Sequence, residues 1–435
     1  MSLKLGKERL HGGLLFTNYQ DDKFRTETII VRFITPLERI KTQRYGAVTD
    51  LLAETCARYP ERKLMMKALM RLYGASLGRF CYPAGDHAVM GFAISSIPDR
   101  YAYGGEKVTL ELAQMLLDCI FEPNIKDGLF DSATYDKVLH DLKTRIRVQK
   151  NDRHSYALER MKQLAFEGEA PSINVSGTLE EAETITNECL VESYREMLGT
   201  AFISISFCGG GTNTEAQKLI KDRFTAFAKE RGYKGEELDH LKMISTIRPE
   251  PQYVTESADQ SQTKLVMLYK YDHDDPFAMN TAVKLFGGTD FSKLFVNVRE
   301  KLSLCYYCQA GSSVDKNSVL VDSGIGKGNE QKTLDEIKRQ LELLKNGEFT
   351  DEELENTKRY YISVIRSAYD FSADLNSWFF NRFIRGDMLT PAEAEEQISR
   401  VTRERVLKAF NALRLDTVYI YEASGDKEES EEEGE

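Results

Sequence analysis

The chain has 435 residues, of which 41% are hydrophobic and 29% charged, a composition typical of a globular protein with two or three domains. Its formal net charge is −11, and the seven acids and one lysine between Asp426 and Glu435 account for more than half of it. The remaining weakly acidic body argues against a nucleic-acid surface, and we interpret the acidic run as a disordered solvating tail rather than an interaction arm.

The sequence gives no sign of a membrane protein. Its beginning, MSLKLGKERLHGG, lacks the apolar core of a signal peptide, and no stretch approaches the roughly 18 apolar residues of a membrane span. The seven cysteines are an odd, scattered set, which is typical of reduced thiols. We therefore expect a cytoplasmic protein with no membrane partner.

Hydrophobic periodicity divides the chain into alternating strands and helices, so the predicted fold class is mixed α/β. For the first half the sequence predicts, in chain order, strand 23–35, helices 45–58 and 62–72, strands 75–83 and 87–95, helices 106–121, 131–148 and 155–166, helical residues 180–198 and strand 201–210. A helix over 215–229 and a polar, proline-containing segment separate this half from the next.

The second half repeats this order of elements. The predicted equivalents are strand 263–271, helix 277–288, a helix end with two strands over 299–326, two helices over 332–368, and two helical runs with a closing strand over 389–423. We interpret the repeat as a duplication, and its period of about 200 residues is too long for a solenoid. Each copy is therefore predicted to be a domain with its own sheet. The predicted boundaries are 1–230 for the first domain, 231–250 for a linker, 251–424 for the second domain and 425–435 for the tail.

The candidate site lies in the stretch LFGGTDFSKLFVNVREKLSLCYYCQA. The pattern predicts a helix end, a break at Gly287 and Gly288, a short helix closed by Arg299, and a strand with Tyr306 near its start. A guanidinium and a phenol around one turn can donate hydrogen bonds toward one carbonyl oxygen, as a peptide-holding site requires. On the local pattern alone, a helix-capping Arg299 and a half-buried Tyr306 are the simpler interpretation. The two glycines either keep backbone clear for a substrate or partner, or cap the helix.

Three other features have structural interpretations. Cys305 and Cys308 are spaced so that they point to opposite faces of an extended strand, and we interpret them as core thiols. Asp274 or Asp275 is the predicted N-cap of the helix that follows, with proline in its first turn. The single tryptophan, Trp378, is predicted to pack in the core of the second domain.

The order of elements, with GGTDFSKLFVNVREKLSLCYY near the start of the second half, resembles the M16 family of metallopeptidases (insulinase, pitrilysin and processing peptidase). The resemblance covers nearly the whole chain. It implies two homologous α/β roll domains, each a mixed, mainly antiparallel sheet with helices packed on it, that form a clam-like cleft. In that family the second domain carries an Arg and, seven residues on, a Tyr, and Arg299 and Tyr306 match this spacing.

The zinc motif of the family's first domain, His-x-x-Glu-His, is missing. It would fall on TDLLAETCAR, which has Glu54 near its middle and no histidine, and no two histidines of the chain are one helical turn apart. A zinc site on one helix face needs two imidazoles one turn apart and a carboxylate, so we expect no metal and no cofactor in this chain. His140 lies roughly where the family's further Glu ligand would be expected, and a lone helical histidine is more often structural.

Members of this family without the zinc motif pair with a catalytic sister chain. The resemblance therefore implies a non-catalytic, zinc-free subunit in which Arg299 and Tyr306 bind peptide, in extended form along a sheet edge, for a zinc-bearing M16 partner in a heterodimer. Zinc-free M16-like proteins encoded beside such a partner in Gram-positive bacteria are the most similar, and one group of them is linked to the 5-aminopentanol modification of elongation factor P. Two alternatives stay open: a monomeric or homodimeric peptide-binding or scaffold protein without proteolysis, and an enzyme with an unrecognised centre.

Overall fold

A computed structural model describes residues 4–211, 213–238, 240–241, 244–313 and 316–424, and the predicted tail 425–435 lies outside them. The strands in the described residues are β1 (Lys4–His11), β2 (Leu14–Gln20), β3 (Glu27–Pro36), β4 (Ser76–Ala84), β5 (His87–Ser96), β6 (Ile125–Lys126), β7 (Leu129–Phe130), β8 (Phe202–Gly209), β9 (Gln252–Ala258), β10 (Thr263–Lys270), β11 (Cys305–Ser313), β12 (Ser318–Ile325) and β13 (Arg414–Ala423).

The helices alternate with these strands, as the periodicity predicts. They are α1 (Lys41–Glu54), α2 (Arg62–Arg71), α3 (Val108–Phe121), α4 (Ser132–Asn151), α5 (Arg153–Ala165), α6 (Leu179–Glu183), α7 (Asn187–Thr200), α8 (Thr214–Arg231), α9 (Pro276–Gly287), α10 (Glu330–Lys345), α11 (Asp351–Ser367), α12 (Ser372–Ile384), α13 (Pro391–Ser399) and α14 (Arg403–Ala412), with a π-helix at Leu294–Lys301. Within the described residues, no helix combines the length and apolar character that crossing a bilayer demands.

The strands form two large sheets, one from each half of the chain. The first has the order β1-β2-β8-β3-β5-β4 and the second β11-β12-β10-β13-β9. Taken from β9, the second sheet repeats the order of the first from β2, including one parallel pair, β2 with β8 and β9 with β13. The mixed, mainly antiparallel sheets and the duplication are therefore confirmed. Strands β1, β2 and β9 and the two-residue strands β6 and β7 are not predicted from the sequence. Strands β1 and β9 are largely polar and exposed and have no buried apolar face, whereas β2 is mostly buried.

The chain divides into two compact units, and neither is a continuous stretch. The first unit consists of Met1–Val148, Ile173–Lys242 and Arg366–Pro391, and the second of Gln149–Ser172, Met243–Ile365 and Ala392–Glu435. The first unit thus contains α12 from the second half of the chain, and the second contains α5 from the first half. The predicted domain boundaries divide the chain at the sequence repeat, which is a different division from these compact units. The boundaries therefore stay a prediction.

Helix α12 packs on the first sheet through a buried cluster, whose members are Tyr19, Phe24, Cys208, Leu375 and Phe379. Trp378 packs against this cluster and donates a hydrogen bond from Nε1 to the Leu389 carbonyl oxygen at 2.8 Å. The prediction that Trp378 lies in the core of the second domain is wrong, because α12 belongs to the first unit.

Helix α5 packs on β10 and β13 within the second unit. The buried residues of this contact are Ala157, Met161, Ala165, Phe166, Val266, Leu268, Tyr419 and Tyr421. Lys270 holds the end of the helix, since its buried Nζ donates to the carbonyl oxygens of Ala165 at 2.6 Å and Thr246 at 2.8 Å and lies 3.2 Å from Asp416 Oδ2. These acceptors compensate the cost of burying the ammonium group.

Candidate functional site

The candidate site is built on the π-helix Leu294–Lys301 and the strand β11 that follows it. The π-helix belongs to the second unit, and the side chain of Val298 on it is fully buried. At the end of the helix, Leu302 N–H donates to the Asn297 carbonyl oxygen at 3.2 Å, one residue further back than in an α-helix. Ser303 then adopts φ 49°, in the left-handed region. Wide helical turns and left-handed residues of this kind cluster at functional sites.

Strand β11 is an edge strand, paired only with β12 among the described residues. In this pairing Cys305 lies opposite Ile325 and Tyr307 opposite Gly324, so Tyr306 is the extra residue of a β-bulge. The Tyr306 side chain is 65% exposed. Within the described residues its hydroxyl has no hydrogen-bond partner, so the bulge presents a free phenol at the open edge of the sheet.

Arg299 lies near the end of the π-helix and is partly exposed. Its guanidinium stands 4.6 Å from the centre of the Phe295 ring, and its Nε lies 3.7 Å from Glu300 Oε1. Both contacts are loose and face solvent, so most N–H donors of the guanidinium stay available. Arg299 and Tyr306 line one open cavity of about 490 Å³, together with Ser303 and Cys305. The structure therefore brings the two predicted site residues together.

Arg299 also lines a second cavity of about 490 Å³, which includes Gly287 and Gly288 and the aromatic side chains Phe291, Phe295, Tyr307 and Tyr360. A Cβ atom on Gly287 would come within 2.7 Å of the Ala310 backbone nitrogen, and one on Gly288 within 2.8 Å of Lys284 Cα. Gly287 thus lets the end of α9 lie close to β11, and Gly288 leaves room for the last turn of α9 itself. They line the cavity, and this close packing also requires them.

Cys305 and Cys308 lie on the same face of β11, and the interpretation that they point to opposite faces is wrong. The bulge inserts a residue between them, so their partners on β12, Ile325 and Ser323, are two positions apart and share a face. The neighbouring Cys308 thiol and the positive charge of Arg299 lower the pKa of the Cys305 thiol, against the opposing effect of its burial.

The helix face on which the zinc motif would fall belongs to α1, and it carries ion pairs. The buried Asp50 pairs with Arg79 and, at 2.9 Å, with NH2 of Arg145 on α4. One turn further along α1, Glu54 pairs at 2.9 Å with Lys137, which like Arg145 lies on α4. These residues do not fit a zinc ion, because imidazole ligands are missing and side-chain cations neutralise both carboxylates.

His140, near the position expected for a further ligand, is exposed on α4. Across the described ranges, 4–211 and onward to 424 with their gaps, no group of three or more His, Cys, Asp or Glu side chains is placed to hold a metal ion. No step of a reaction through a metal therefore follows from the residues of this chain.

The two sheets of matching strand order define a duplicated α/β protein, and its α1 face carries ion pairs where the metal ligands of a peptidase would lie. Residues 184–361 match the family model described as Peptidase M16 inactive domain. The "Probable inactive metalloprotease YmfF" of Bacillus subtilis (strain 168) is 25% identical over 414 residues, which cover 94% of this chain and 96% of that protein.

Solved structures show the same fold. A conserved protein from Enterococcus faecalis V583 superposes with a TM-score of 0.87 at 25% identity, covering 98% of this chain and 100% of that one. A peptidase M16 inactive domain from Pseudomonas fluorescens gives a TM-score of 0.77 at 16% identity, covering 98% and 99%. The family match over residues 184–361 and the likeness to the probable inactive metalloprotease make this chain similar to M16 proteins described as inactive, and the solved structures show that it shares their fold.

Proposed function

We propose that this chain is the non-catalytic, zinc-free subunit of a two-chain M16-type metallopeptidase and that it binds and orients peptide for a zinc-bearing partner. The observation that carries the proposal is the exposed pair Arg299 and Tyr306 on one open cavity. The guanidinium has only loose partners and the phenol has none among the described residues, so both are available to the carbonyl oxygens of a peptide. The ion-paired face of α1 supports placing hydrolysis in another chain.

The free edge of β11 supports an extended peptide as the ligand. An edge strand leaves a row of backbone N–H and C=O groups without strand partners, and a peptide that adds as a further strand satisfies them. Tyr306, Gln309 and Gly311 are exposed along this strand. A peptide paired to this edge would run past the phenol of Tyr306, where its carbonyl groups accept the donors of the site.

The test is turnover of a quenched peptide library by this chain, by a zinc-bearing M16 protein from the same organism, and by the two mixed, with metal analysis of each. We expect turnover only in the mixture and zinc only in the other chain. Arg299→Ala should lower kcat/KM of the mixture about a hundredfold, the usual effect of losing one preorganised donor, and Tyr306→Phe about tenfold. Co-elution of the two chains should not change.

Arg339→Ala is the matched control, because Arg339 is an exposed arginine of the second unit whose ion pair joins it to Glu336 on the same helix. Unchanged turnover in both site variants would contradict the proposal. Peptide binding by this chain without turnover in any mixture would favour a peptide-binding or scaffold protein, monomeric or homodimeric. The exposed donor pair serves that function equally well.

On the resemblance alone, we also propose that the chain works in the cytoplasm with the proteins linked to 5-aminopentanol modification of elongation factor P. Deleting the gene and measuring the intact mass of elongation factor P tests this. Loss of the modification supports the link, whereas an unchanged mass contradicts it and leaves the proposal of a two-chain peptidase untouched.

A further inference from the structure

Two thiols lie beside Arg299, and peptide binding does not use them. We propose that Cys305 and Cys308 form a thiol–disulfide modification site, in which a hydroperoxide oxidises Cys305 and Cys308 then closes an intramolecular disulfide. The inference does not rest on the proposed function, because it concerns the chemistry of the thiols in the isolated chain.

The β-bulge at Tyr306 is the geometric basis of this site. In a regular strand, residues three apart face opposite ways, and no disulfide between them would be within reach. Here Cys305 and Cys308 lie opposite residues of β12 that share a face, and each thiol shifts the pKa of the other. The bulge therefore brings both sulfur atoms to one side of the sheet.

The two cysteines differ in access. Cys305 is half-buried and lines the open cavity that contains Arg299, whereas Cys308 is only 4% exposed. A small oxidant in solution therefore meets Cys305 first. Cys308 lies behind it, in position to react with an oxidised sulfur and shielded from the solvent itself.

The electrostatics assign the same two roles. The neighbouring Cys308 thiol, aided by Arg299, lowers the pKa of Cys305, whereas the neighbouring Cys305 thiol and burial raise the pKa of Cys308 well above its ordinary value. The thiolate is the form that attacks a peroxide, and low-pKa, accessible cysteines next to a second thiol are the ones that oxidise reversibly. Cys305 is thus the attacking thiol and Cys308 the resolving thiol.

The reaction has two steps. The Cys305 thiolate attacks the outer oxygen of the hydroperoxide, so that an S–O bond forms, the O–O bond breaks, and an alcohol or water leaves after taking up a proton. The Cys308 sulfur then attacks the Cys305 sulfenic acid, forming the S–S bond and breaking the S–O bond, and its proton leaves with the hydroxide as water. In sum, two thiols and a hydroperoxide give a disulfide, an alcohol and water.

The chain contains a matched internal control. Cys56 and Cys119 are also neighbouring thiols, and their interaction lowers the pKa of Cys56 and raises that of Cys119. Both are 0% exposed. This pair shares the chemistry of the proposed site and lacks its access to solvent, so it should stay reduced in the folded protein.

The experiment treats the reduced full-length chain with hydrogen peroxide, alkylates the remaining thiols and maps the peptides by mass spectrometry. We expect a disulfide between Cys305 and Cys308, with Cys56 and Cys119 alkylated only after unfolding. In Cys308→Ser, dimedone should trap a sulfenic acid at Cys305, and in Cys305→Ser the Cys308 thiol should stay reduced. Equal oxidation of the buried pair, or a disulfide of Cys305 between two chains, would overturn the proposal.

A second measurement tests the role of Arg299. The rate of alkylation by iodoacetamide follows the thiolate fraction, so its dependence on pH reports the pKa of each thiol. Arg299→Gln should slow alkylation of Cys305 near neutral pH by about two- to tenfold and leave Cys189, another half-buried thiol, unchanged. An unaltered pH profile of Cys305 in this variant would contradict the electrostatic part of the inference.

Discussion

The ion-paired face of α1 and the Arg299–Tyr306 cavity lie in different copies of the fold, α1 before the edge strand β4 of the first sheet and the cavity at the edge strand β11 of the second. The two places differ in whether their charged side chains form ion pairs. On α1, Asp50 and Glu54 are each held by side-chain cations. In the second copy, Arg299 and Tyr306 have loose partners or none among the described residues. The charged groups on α1 are therefore paired within the chain, whereas those at the cavity are loosely paired or unpaired among the described residues.

A third carboxyl group, that of Glu27, shows how the lack of an ion pair affects the pKa of a buried acid. Glu27, at the start of β3, is 0% exposed, and the Gly211 N–H donates to its Oε1 at 2.7 Å. Among the described residues no cation forms an ion pair with it, in contrast to Asp50 in the same unit. Burial raises the pKa of Glu27 to about 8. A buried acid without a cation therefore stays protonated near neutral pH.

Glu27→Gln gives the largest effect that we expect on stability. The folded protein keeps a proton on Glu27 that the unfolded chain releases near its ordinary pKa of 4.5, so the free energy of unfolding falls as pH rises from there to about 8. The loss is about 3–5 kcal/mol. The variant should lack this slope and exceed the wild type in stability near pH 9, as urea unfolding across the range would show. A slope of equal size in the variant would contradict the assignment.

Asp50→Asn should cost about 3 kcal/mol, because it leaves Arg79 and Arg145 without their shared buried counter-charge. Glu54→Gln on the same helix face is the matched control and should cost about 1 kcal/mol, since its partners Arg62 and Lys137 are largely exposed. Urea unfolding at neutral pH measures both changes. Small, equal losses would mean that the α1 ion pairs contribute little to the fold.

Ser303→Gly has a smaller effect, of opposite sign. Ser303 holds a left-handed φ of 49° in the turn between the π-helix and β11, and glycine adopts this conformation without a Cβ clash. We expect a gain of about 0.5 kcal/mol in the free energy of unfolding, together with lower peptide turnover because the freer turn positions Arg299 and Tyr306 less well. Ser303→Ala, which keeps the strain, should match the wild type. A destabilised glycine variant would show that the turn is not strained.

The sequence predicts those features of the structure that depend on contacts between residues close together in the chain. Of the two predicted N-cap candidates, Asp274 and Asp275, the structure has Asp275, whose carboxylate accepts from the Ala278 N–H at 3.0 Å with Pro276 at the start of α9. The order of elements and the duplication also follow from hydrophobic periodicity. The exchange of α5 and α12 between the units does not, because an apolar helix face shows that a helix is covered and not which sheet covers it.

The bulge at Tyr306 does not follow from hydrophobic periodicity either. Period-two alternation along a regular strand places Cys305 and Cys308 on opposite faces. The signal was present, since the run from Cys305 to Cys308 has no alternation of apolar and polar residues and two bulky tyrosines stand side by side. A break in alternation next to a turn indicates a bulge, and here it decides where the phenol and both thiols point.

The smallest change in stability that we expect is that of Tyr306→Phe. Compared with Tyr307→Phe at the neighbouring position, it gives the sharpest test of the comparison. The Tyr307 hydroxyl donates to Asp322 Oδ1 at 3.2 Å, whereas Tyr306 is exposed at the bulge. Tyr307→Phe should cost about 1 kcal/mol of stability, and Tyr306→Phe less than about 0.5 kcal/mol. Peptide turnover by the two-chain mixture should show the reverse order, with Tyr306→Phe the more impaired. Equal destabilisation would make the Tyr306 phenol a structural group, and the free donor pair that distinguishes the second copy from the first would no longer exist.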